Sequence, residues 1–487
     1  NNSFHDIGYP GFGEGKNGLY LEKCYGADVQ NNTFSRSGIF LPSEEGISDL
    51  KSNIFKNNSV NGGEFVYLCD KTPSIPYKVN STARQVYLID CKRIIVEDLN
   101  LSDTDMGFFA KGSQQLIIRN CTISNSYRGL NWMVRDPVVG NSTIENNYIS
   151  SIFGSGIHIF HDYYYSIKNT NIHNNTIKNC GKHGLHIDGE FRKNHIHNNT
   201  ITDNGEWGVY MKGQAFWNEA TRVTNNTIKY NKKGLYTNEC TYGKIINNEI
   251  SDNEEDGVNF YTQEHIDVIN NSISNNGGKG FYISHMDNCE MNQNWIFENG
   301  DYGLYIGNTW YANFIFNNTF ISNNGTNSQA YDKSPDKNNW HKEGYGNWWN
   351  NWTVPDSDGD GIVDIPYNID GEASDQDKYP RVWENSDPVI TGEDELTAVE
   401  DIPYYVDYEG LDSDLTYDEL IWNVDSNSDF LNIDPSSGIL QGTPRNSDVG
   451  SHWVNVSVSD GRGGCDWNNF TLRSEEHTSE LQSPLCI

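Results

Sequence analysis

Histidine, tyrosine, lysine and carboxylate side chains recur at one position of a repeated pattern, and their types suit acid–base chemistry. The pattern is a glycine, an apolar residue, a variable residue and a second apolar residue, as in GIHI, GLHI, GVYM and GLYT. On a strand the neighbours of the variable residue point inward, so the variable residue points outward. The candidate catalytic residues at or beside these outward positions are His158, His186, Asp188, Glu190, Tyr210 and Lys212.

Two kinds of sugar chemistry fit these residue types. A lyase or epimerase needs a base for the proton beside a uronate carboxylate, a cation for that carboxylate and an acid for the leaving oxygen. A hydrolase needs two carboxylates, and Asp188 and Glu190, two apart on one expected strand, would lie roughly 6.5–7 Å apart, as in an inverting enzyme. A purely structural alternative stays open, because outward histidines and tyrosines also stack on one another.

Residues that could hold a substrate lie nearby. Three long segments, 133–143, 160–171 and 212–222, follow neighbouring copies of the glycine pattern and predict a cleft wall at one corner of the fold. Aromatic residues in such a wall offer flat surfaces to sugar rings. The predicted substrate-binding residues are Arg135, Asp162, Tyr164, Arg192, Trp217, Tyr236 and Asn238.

An acidic turn, DSDGDGIVD, predicts a metal site. Its aspartates occupy positions one, three, five and nine, and its glycines let the turn wrap an ion. Carboxylate oxygens at this spacing suit Ca²⁺, and the turn resembles the short loops of dockerin or thrombospondin type rather than a full EF-hand. We expect a structural calcium ion. The predicted ligands are Asp356, Asp358, Asp360 and Asp364, with Asp370, Asp375 and Asp377 as further candidates.

A repeat positions the outward residues. Its core reads I-x-N-N-x-I, followed by polar residues and the glycine pattern, as in IHNNTI with GLHI at 172–187. Short alternating segments, mostly 22 to 28 residues apart and separated by Asn and Gly, leave no room for helices. The repeat predicts an all-β chain with a right-handed parallel β-helix of about 13 rungs and a ladder of Asn side chains at the bends.

These repeats resemble the NosD-like and broader carbohydrate-binding β-helix families over residues 1–330. Such families include polysaccharide lyases, epimerases, glycoside hydrolases, surface adhesion proteins and the NosD proteins of copper-site maturation. A fold shared by all of these does not choose among them. Five methionines and the absence of a Cys-His grouping argue against a copper role.

Composition divides the chain into four segments. Residues 1–330 carry the repeat, and residues 331–386 combine a Trp-rich cap with the acidic turn. Residues 387–472 alternate short strands with Gly, Pro and Asp turns and resemble Ig-like or cadherin-like β-sandwich modules, which usually occur in tandem. Residues 473–487 show no strand signal and resemble a translated sequencing adapter, so we expect the natural protein to continue beyond Leu472.

Charge excludes some partners. The chain has 487 residues and a net charge of −33, which repels nucleic acid and anionic lipid. No apolar run is long enough to cross a membrane. The segments together indicate an extracellular or cell-surface protein that binds, and on one interpretation cleaves, a polysaccharide or cell-surface glycan. The alternatives are a non-catalytic structural or adhesive surface protein and a NosD-like metal-site maturation protein.

Overall fold

The computed structural model describes residues 2–5, 17–42, 45–134, 141–161, 166–213, 221–352, 354–382, 386–412, 420–460 and 464–476. The chain forms two compact units, Asn1–Val382 and Trp383–Ile487. The described part of the first unit contains one short α-helix, Ile47–Ser52, and is otherwise built from strands and turns. Within the described residues, no helix is long and apolar enough to cross a membrane.

Three sheets of stacked strands form the wall of the first unit, with 17, 12 and 10 strands. The 17-stranded sheet contains Ser3–His5, Thr33–Ser35, Ser59–Val60, Gly63–Cys69, Ala83–Ile89, Met106–Lys111, Arg128–Val134, Ile157–His161, Leu185–Asp188, Trp207–Lys212, Lys233–Asn238, Cys240–Thr241, Val258–Phe260, Gln263–Glu264, Phe281–Asp287, Leu304–Asn308 and Ala330–Asp332.

The other two sheets complete each turn of the coil. The 12-stranded sheet contains Tyr77–Lys78, Ile94–Glu97, Ile117–Arg119, Ser142–Glu145, Thr170–His173, His195–His197, Arg222–Thr224, Lys244–Ile246, Asp267–Ile269, Glu290–Asn292, Asn313–Phe316 and Asn338–Asn339. The 10-stranded sheet contains Thr122–Ser126, Tyr148–Ile152, Thr176–Lys178, Thr200–Thr202, Thr227–Lys229, Glu249–Ser251, Ser272–Ser274, Trp295–Phe297, Thr319–Ile321 and Trp348–Trp349. Two-stranded sheets join Asn17–Tyr20 to Gly38–Phe40, Asp28–Gln30 to Ile54–Lys56, Ser166–Lys168 to Glu190–Arg192 and Tyr367–Asn368 to Gln376–Asp377.

Inward side chains of the three sheets fill the coil with one continuous core. Equivalent residues of successive turns face each other, as Ile172, Ile196 and Val223 do on the 12-stranded sheet, and all three are buried. Alternation of apolar and polar residues therefore places one apolar stack inside each sheet. The predicted all-β parallel β-helix is confirmed, with about 12 turns.

Buried asparagines tie successive turns together. Asn199 Oδ1 accepts hydrogen bonds from the backbone N–H and the side-chain amide of Asn175, both at 3.0 Å, and Asn199 Nδ2 donates to Asn226 Oδ1 at 2.9 Å. The left-handed backbone belongs to the preceding residue, as at Asn198 with φ 54°. The two residues of each N-N pair thus have different roles: the first takes the left-handed backbone and the second forms the ladder. This ladder contains Asn147, Asn175, Asn199, Asn226, Asn248, Asn271, Asn294, Asn318 and Asn347.

A second asparagine ladder lies at another bend and was not predicted. Its side chains bond in the same way, for example from Asn231 Nδ2 to Asn253 Oδ1 at 3.2 Å. Both ladders satisfy buried amides that would otherwise be costly to remove from water. The second ladder contains Asn204, Asn231, Asn253, Asn276, Asn299 and Asn323.

The first rungs form a short coil of their own. The chain reverses at Asn61 and Gly62, which have φ of 49° and 78°, and Ser59–Val60 pairs antiparallel with Gly63–Cys69. An Asn-Gly pair suits such a hairpin because both central residues need positive φ. The rungs at this end therefore stack on one another and do not continue the main series. They are marked by Asn2, Asn32 and Asn58.

This short coil covers part of the main coil. Its core residues Phe34 and Ile39 cluster with Tyr87 and Phe109, which point outward from the 17-stranded sheet. Phe109 is completely buried as a result. The outer face of that sheet is therefore closed at its amino-terminal end.

Aromatic residues close the opposite end of the core. Trp349 stacks on Phe320 of the preceding turn at 4.3 Å and on Tyr367 at 4.0 Å. Trp340 and Trp349 are both buried. The buried carboxylate of Asp377 accepts a hydrogen bond from Trp349 Nε1 at 3.0 Å, which fixes the indole over the last turn.

The described part of the second unit contains two small sheets and a strand pair. Its core includes Tyr408, Trp422, Leu440 and Val456. The four-stranded sheet contains Thr397–Val399, Cys465–Glu475, Gly450–Ser459 and Ile421–Ser426; the three-stranded sheet contains Tyr404–Asp407, Ile439–Gly442 and Asn432–Ile433; Val389–Ile390 pairs with Gly410–Leu411, and a 3₁₀ helix spans Asn446–Asp448.

One boundary in this unit differs from the sequence analysis, which places no strand beyond Leu472. The strand Cys465–Glu475 continues three residues further because Arg473, Ser474 and Glu475 pair with Thr397–Val399. The Ig-like identity of residues 387–472 stays a prediction.

The asparagine ladder makes a testable contribution to stability. We expect Asn199→Ala to lower the free energy of unfolding by about 3 kcal/mol, because it leaves buried partners such as the Asn175 N–H without an acceptor. Chemical denaturation measures this, with the exposed strand residue Asn171→Ala as the control. Equal stability of the two variants would contradict a stabilising ladder.

Candidate functional site

Outward side chains of the 17-stranded sheet align in one column. His158, His186, Tyr210 and Tyr236 face one another on successive strands, as the sequence pattern predicts. The rings of His158 and His186 stack 4.3 Å apart, and those of Tyr210 and Tyr236 stack 4.6 Å apart. We call these residues the aromatic column. After Asn259 the same position is occupied by Tyr282, Tyr305 and Tyr331.

A further histidine, His183, joins the column from the bend before its strand. Its ring stacks on Tyr210 and meets His186 edge-on, both with centroids 4.7 Å apart. The Trp207 backbone N–H donates to His183 Nδ1 at 3.3 Å, and His183 Nε2 lies 3.2 Å from the Glu206 carboxylate. A neutral ring that carries its proton on Nε2 satisfies both contacts.

The three histidines line a cleft of about 370 Å³. Arg128 and Lys182 add two cations to the lining, and Glu206 adds a carboxylate. Among the ion pairs of the described residues, none includes Arg128 or Lys182. The described lining therefore carries two cationic side chains and one carboxylate.

Aromatic residues form the mouth of the cleft. Tyr127 and Phe153 stack 5.1 Å apart, and Phe153 is 55% exposed. The Arg128 guanidinium lies 5.2 Å from the ring of Phe40, which belongs to the short amino-terminal coil. That coil therefore helps to position one of the two cleft cations.

Burial lowers the pKa of each cleft histidine. The pKa falls to about 3 for His158, about 3 for His183 and about 4 for His186. Loss of hydration is the largest cause, and nearby positive charges, including Lys182, act in the same direction. The rings are consequently neutral at pH 7, each with one unprotonated nitrogen, which in His183 already accepts the Trp207 N–H.

The structure separates Asp188 from Glu190. Asp188 ends the strand Leu185–Asp188, whereas Glu190 begins a strand of a different sheet that pairs with Ser166–Lys168. Gly189 lies between them with φ 134°, a backbone angle that bends the chain and favours glycine. The expectation that both carboxylates share one strand is wrong, and the spacing argument for an inverting hydrolase fails with it.

The other predicted residues take varied positions. Asp188 faces Lys212, and Lys212 faces Asn238, along the outer side of the 17-stranded sheet. Arg192 lies in the separate two-stranded sheet, opposite Lys168. The residues outside the described part are Arg135, Asp162, Tyr164 and Trp217, and the side chain of Glu190 is outside it as well.

The cleft lies at the amino-terminal ends of its strands, whereas the long segments 133–143, 160–171 and 212–222 follow their carboxyl-terminal ends.

Sequence reasoning missed Arg128, Lys182, His183 and Glu206. A usable signal exists, because Arg128 and His183 each come directly before the glycine of the repeated pattern. That position places a side chain at the bend beside the outward column.

The acidic turn brings three of its four predicted ligands together. Carboxylate oxygens of Asp356, Asp358 and Asp364 lie within 4.8 Å of one another. Asp360 lies outside this group, and its carboxylate accepts a hydrogen bond from the Ile362 backbone N–H at 2.9 Å. The negative charge of Asp360 raises the pKa of Asp358, so a cation would relieve a repulsion within the turn.

The further ligand candidates serve the cap instead. Asp370 accepts a hydrogen bond from the Tyr302 hydroxyl at 3.1 Å, and Asp377 accepts one from the Asn347 backbone N–H at 2.7 Å. Burial and the neighbouring Asp332 raise the pKa of Asp375 to about 7. These three aspartates lie outside the group formed by Asp356, Asp358 and Asp364.

The chain belongs to the family described as the right-handed beta helix region, whose model matches residues 1–171, 77–220 and 163–324. This agrees with the parallel coil and its stacked sheets. A comparison with curated proteins found no match.

Solved structures with similar folds include two bacterial enzymes and a phage protein. The A-module of mannuronan C-5 epimerase AlgE4 from Azotobacter vinelandii is 14% identical, with a TM-score of 0.42 over 66% of this chain and 84% of that one. The AlgE6 A-module from the same organism is 14% identical, with a TM-score of 0.40 over 66% and 82%. Tailspike protein 2 of Escherichia coli O157:H7 bacteriophage CAB120 is 12% identical, with a TM-score of 0.38 over 82% and 68%. These values are too low to bear on chemistry.

The cleft histidines make folding pH dependent. Their pKa values lie below the unfolded value of about 6.5, so as pH falls from about 6.5 towards 4 the unfolded chain binds more protons and stability declines. For His158 alone the expected loss between pH 7 and pH 5 is about 2 kcal/mol. Chemical denaturation of His158→Asn at both pH values should show a decline smaller by that amount than in the unmodified chain.

Asn171, an exposed strand residue without a titratable group, provides the control for this measurement. Asn171→Ala should leave the decline between pH 7 and pH 5 almost unchanged. A decline in His158→Asn as large as in the unmodified chain would show that His158 is not held neutral by burial.

Proposed function

We propose that the protein binds a polysaccharide in the cleft beside His158, His183 and His186. The observation that carries this proposal is the pair of cations, Arg128 and Lys182, set in a cleft of a chain with net charge −33. Two cations beside a single carboxylate, Glu206, favour ligands that bring their own carboxylate or sulfate groups. The exposed ring of Phe153 at the mouth suits a sugar ring.

A lyase or epimerase fits this cleft better than a hydrolase. In the proposed first step a neutral histidine takes the proton from the carbon beside a uronate carboxylate, and Arg128 or Lys182 stabilises the charge that moves onto that carboxylate. In a lyase the electron pair then forms a carbon–carbon double bond as the glycosidic oxygen leaves and receives a proton from an acid such as Tyr210. The hydrolase alternative loses its main support with the separation of Asp188 from Glu190.

A non-catalytic structural or adhesive role is the second candidate, and the aromatic column favours it. Rings that stack face to face, as Tyr210 and Tyr236 do at 4.6 Å, present edges and hydroxyl groups to a ligand and stabilise the coil by themselves. On this alternative the column is part of the scaffold, and the cleft only binds.

The proposal extends to the setting of the protein. We propose an extracellular or cell-surface location, NosD-like repeats and an Ig-like module at residues 387–472, because the repeat, the acidic turn and the short alternating strands together are typical of modular surface proteins. No part of the proposed mechanism depends on these assignments.

Binding to acidic polysaccharides tests the cleft. We expect Arg128→Ala and Lys182→Ala each to weaken binding by about 10-fold or more, since a hydrogen bond to a charged group contributes about 1.5–3 kcal/mol. Affinity electrophoresis of the full chain in gels containing polygalacturonate, alginate or a neutral β-glucan measures this. Lys337→Ala, an exposed lysine of the cap, is the matched control.

Product masses from the same incubations separate the candidate activities. Unsaturated fragments that disappear in His186→Ala or His183→Ala would indicate a lyase, and fragments with one added water that depend on Asp188 or Glu190 would indicate a hydrolase. Binding without products favours the structural or adhesive role. Binding that is unchanged in both cation variants would contradict the cleft as the binding site.

We also propose that the acidic turn binds a structural calcium ion through Asp356, Asp358 and Asp364. Calcium at about 100 times its dissociation constant would stabilise the folded unit by about 2.7 kcal/mol. Thermal unfolding with and without calcium should show this rise in the unmodified chain and lose it in Asp356→Asn. Asp425→Asn, an exposed aspartate of the second unit, should keep the full effect.

A further inference from the structure

Two exposed aromatic residues stand at a bend of the main coil, outside the cleft. Trp310 and Tyr311 follow the strand Leu304–Asn308 and are 70% and 60% exposed. Scattered exposed apolar residues are ordinary on a protein surface. Trp310 and Tyr311 differ from such scattered residues because a buried carboxylate fixes the backbone of both.

The Asp287 carboxylate fixes the backbone beneath both rings. Its Oδ1 accepts hydrogen bonds from the N–H groups of Trp310 and Tyr311, both at 2.7 Å, and its Oδ2 lies 2.9 Å from His285 Nε2. Asp287 is itself buried. Charge-assisted hydrogen bonds to a buried carboxylate are short and strong, so the bend is ordered before any ligand arrives.

His285 also sets the orientation of the indole. The His285 and Trp310 rings meet at 68° with centroids 4.4 Å apart. Most of the indole surface stays open to solvent despite this contact. The residues Trp310, Tyr311 and His285, which we call the aromatic platform, thus combine flat apolar surfaces with a polar ring at one side.

Aromatic rings recur along the same edge in earlier turns. Tyr242 and His265 stack 4.6 Å apart, and the His265 N–H donates to the Asp287 carbonyl of the next turn. Both residues have left-handed backbone, with φ of 56° and 55°, at a bend where asparagine is usual in this coil. The platform therefore stands at the end of a line of rings that an extended ligand could follow.

We propose that the aromatic platform is a second saccharide-binding surface, separate from the cleft and selective for the apolar face of a sugar ring. Tryptophan and tyrosine supply that contact, and the polar groups beside them can bond to hydroxyls. A protein partner is disfavoured, because stable protein interfaces bury about 1,200–2,000 Å² and the described rings form only a narrow line along this edge. The proposal rests on the proposed function in one respect, that the ligand is a glycan.

The test uses the same gels of polygalacturonate, alginate and β-glucan. We expect Trp310→Ala and Tyr311→Ala to raise the dissociation constant for at least one polysaccharide by about 3- to 10-fold, the size of a ring-stacking contact. Trp467→Ala and Tyr230→Ala are matched controls, because these residues are 55% and 60% exposed elsewhere and should bind as the unmodified chain does.

The outcomes separate this proposal from the cleft. Weaker binding in the Trp310 variant beside unchanged binding in Arg128→Ala supports the platform and removes the cleft assignment. The reverse result overturns the platform and leaves the proposed function standing. Weaker binding in both the Trp310 and the Arg128 variants supports two binding sites for one glycan. If no polysaccharide slows the migration of the unmodified chain, both proposals are contradicted.

Discussion

The distance between successive turns of the coil, about 4.8 Å, is the constraint on which the rest of the structure depends. Each strand inside a stack pairs with the turns above and below it, so its side chains meet their equivalents at that separation. An asparagine amide can donate to one neighbour and accept from the other across this distance, as Asn199 does between Asn175 and Asn226. Where the series lacks an asparagine, at Cys121, only the backbone N–H still reaches the ladder, donating to Asn147 Oδ1 at 3.0 Å.

The same spacing produces the chemistry of the outer face. Outward rings on adjacent strands come into contact, face to face for His158 and His186 and edge-on for His186 and Tyr210, and these contacts exclude water from the rings. For tyrosine this is mainly a packing contribution, but for histidine it also disfavours the charged form, which is why His158 and His186 have lowered pKa values. A column that stabilises the coil therefore also holds neutral imidazoles at neutral pH. An anionic ligand beside them would raise their pKa values again and couple binding to proton uptake.

Features that follow from periodicity could be predicted from the sequence, and features that interrupt it could not. The parallel coil, the asparagine ladder and the alignment of His158, His186 and Tyr210 all follow from the repeat. The reversal at Asn61–Gly62 was missed although the dipeptide is a hairpin signal, because the surrounding rungs fit the repeat equally well. Asp188 and Glu190 were placed on one strand because the bend at Gly189 leaves no mark in the apolar pattern. His183 was overlooked because it belongs to a bend, where the alternation that assigns inward and outward positions stops.

These interruptions also create the sites. A perfectly regular coil offers the same groove at every turn and gives a ligand no preferred position. The hairpin at Asn61–Gly62 turns the short coil back over the sheet, which buries Phe109 and brings Phe40 to within 5.2 Å of the Arg128 guanidinium. The cleft thus begins next to the part of the sheet that the short coil buries. Its cation Arg128 contacts Phe40, a residue of that short coil. At the other end of the sheet, the Asp287 carboxylate accepts hydrogen bonds from the backbone N–H groups of Trp310 and Tyr311 at the bend of the next turn. The repeat supplies rigidity, and both proposed binding sites lie at bends beside its regular strands.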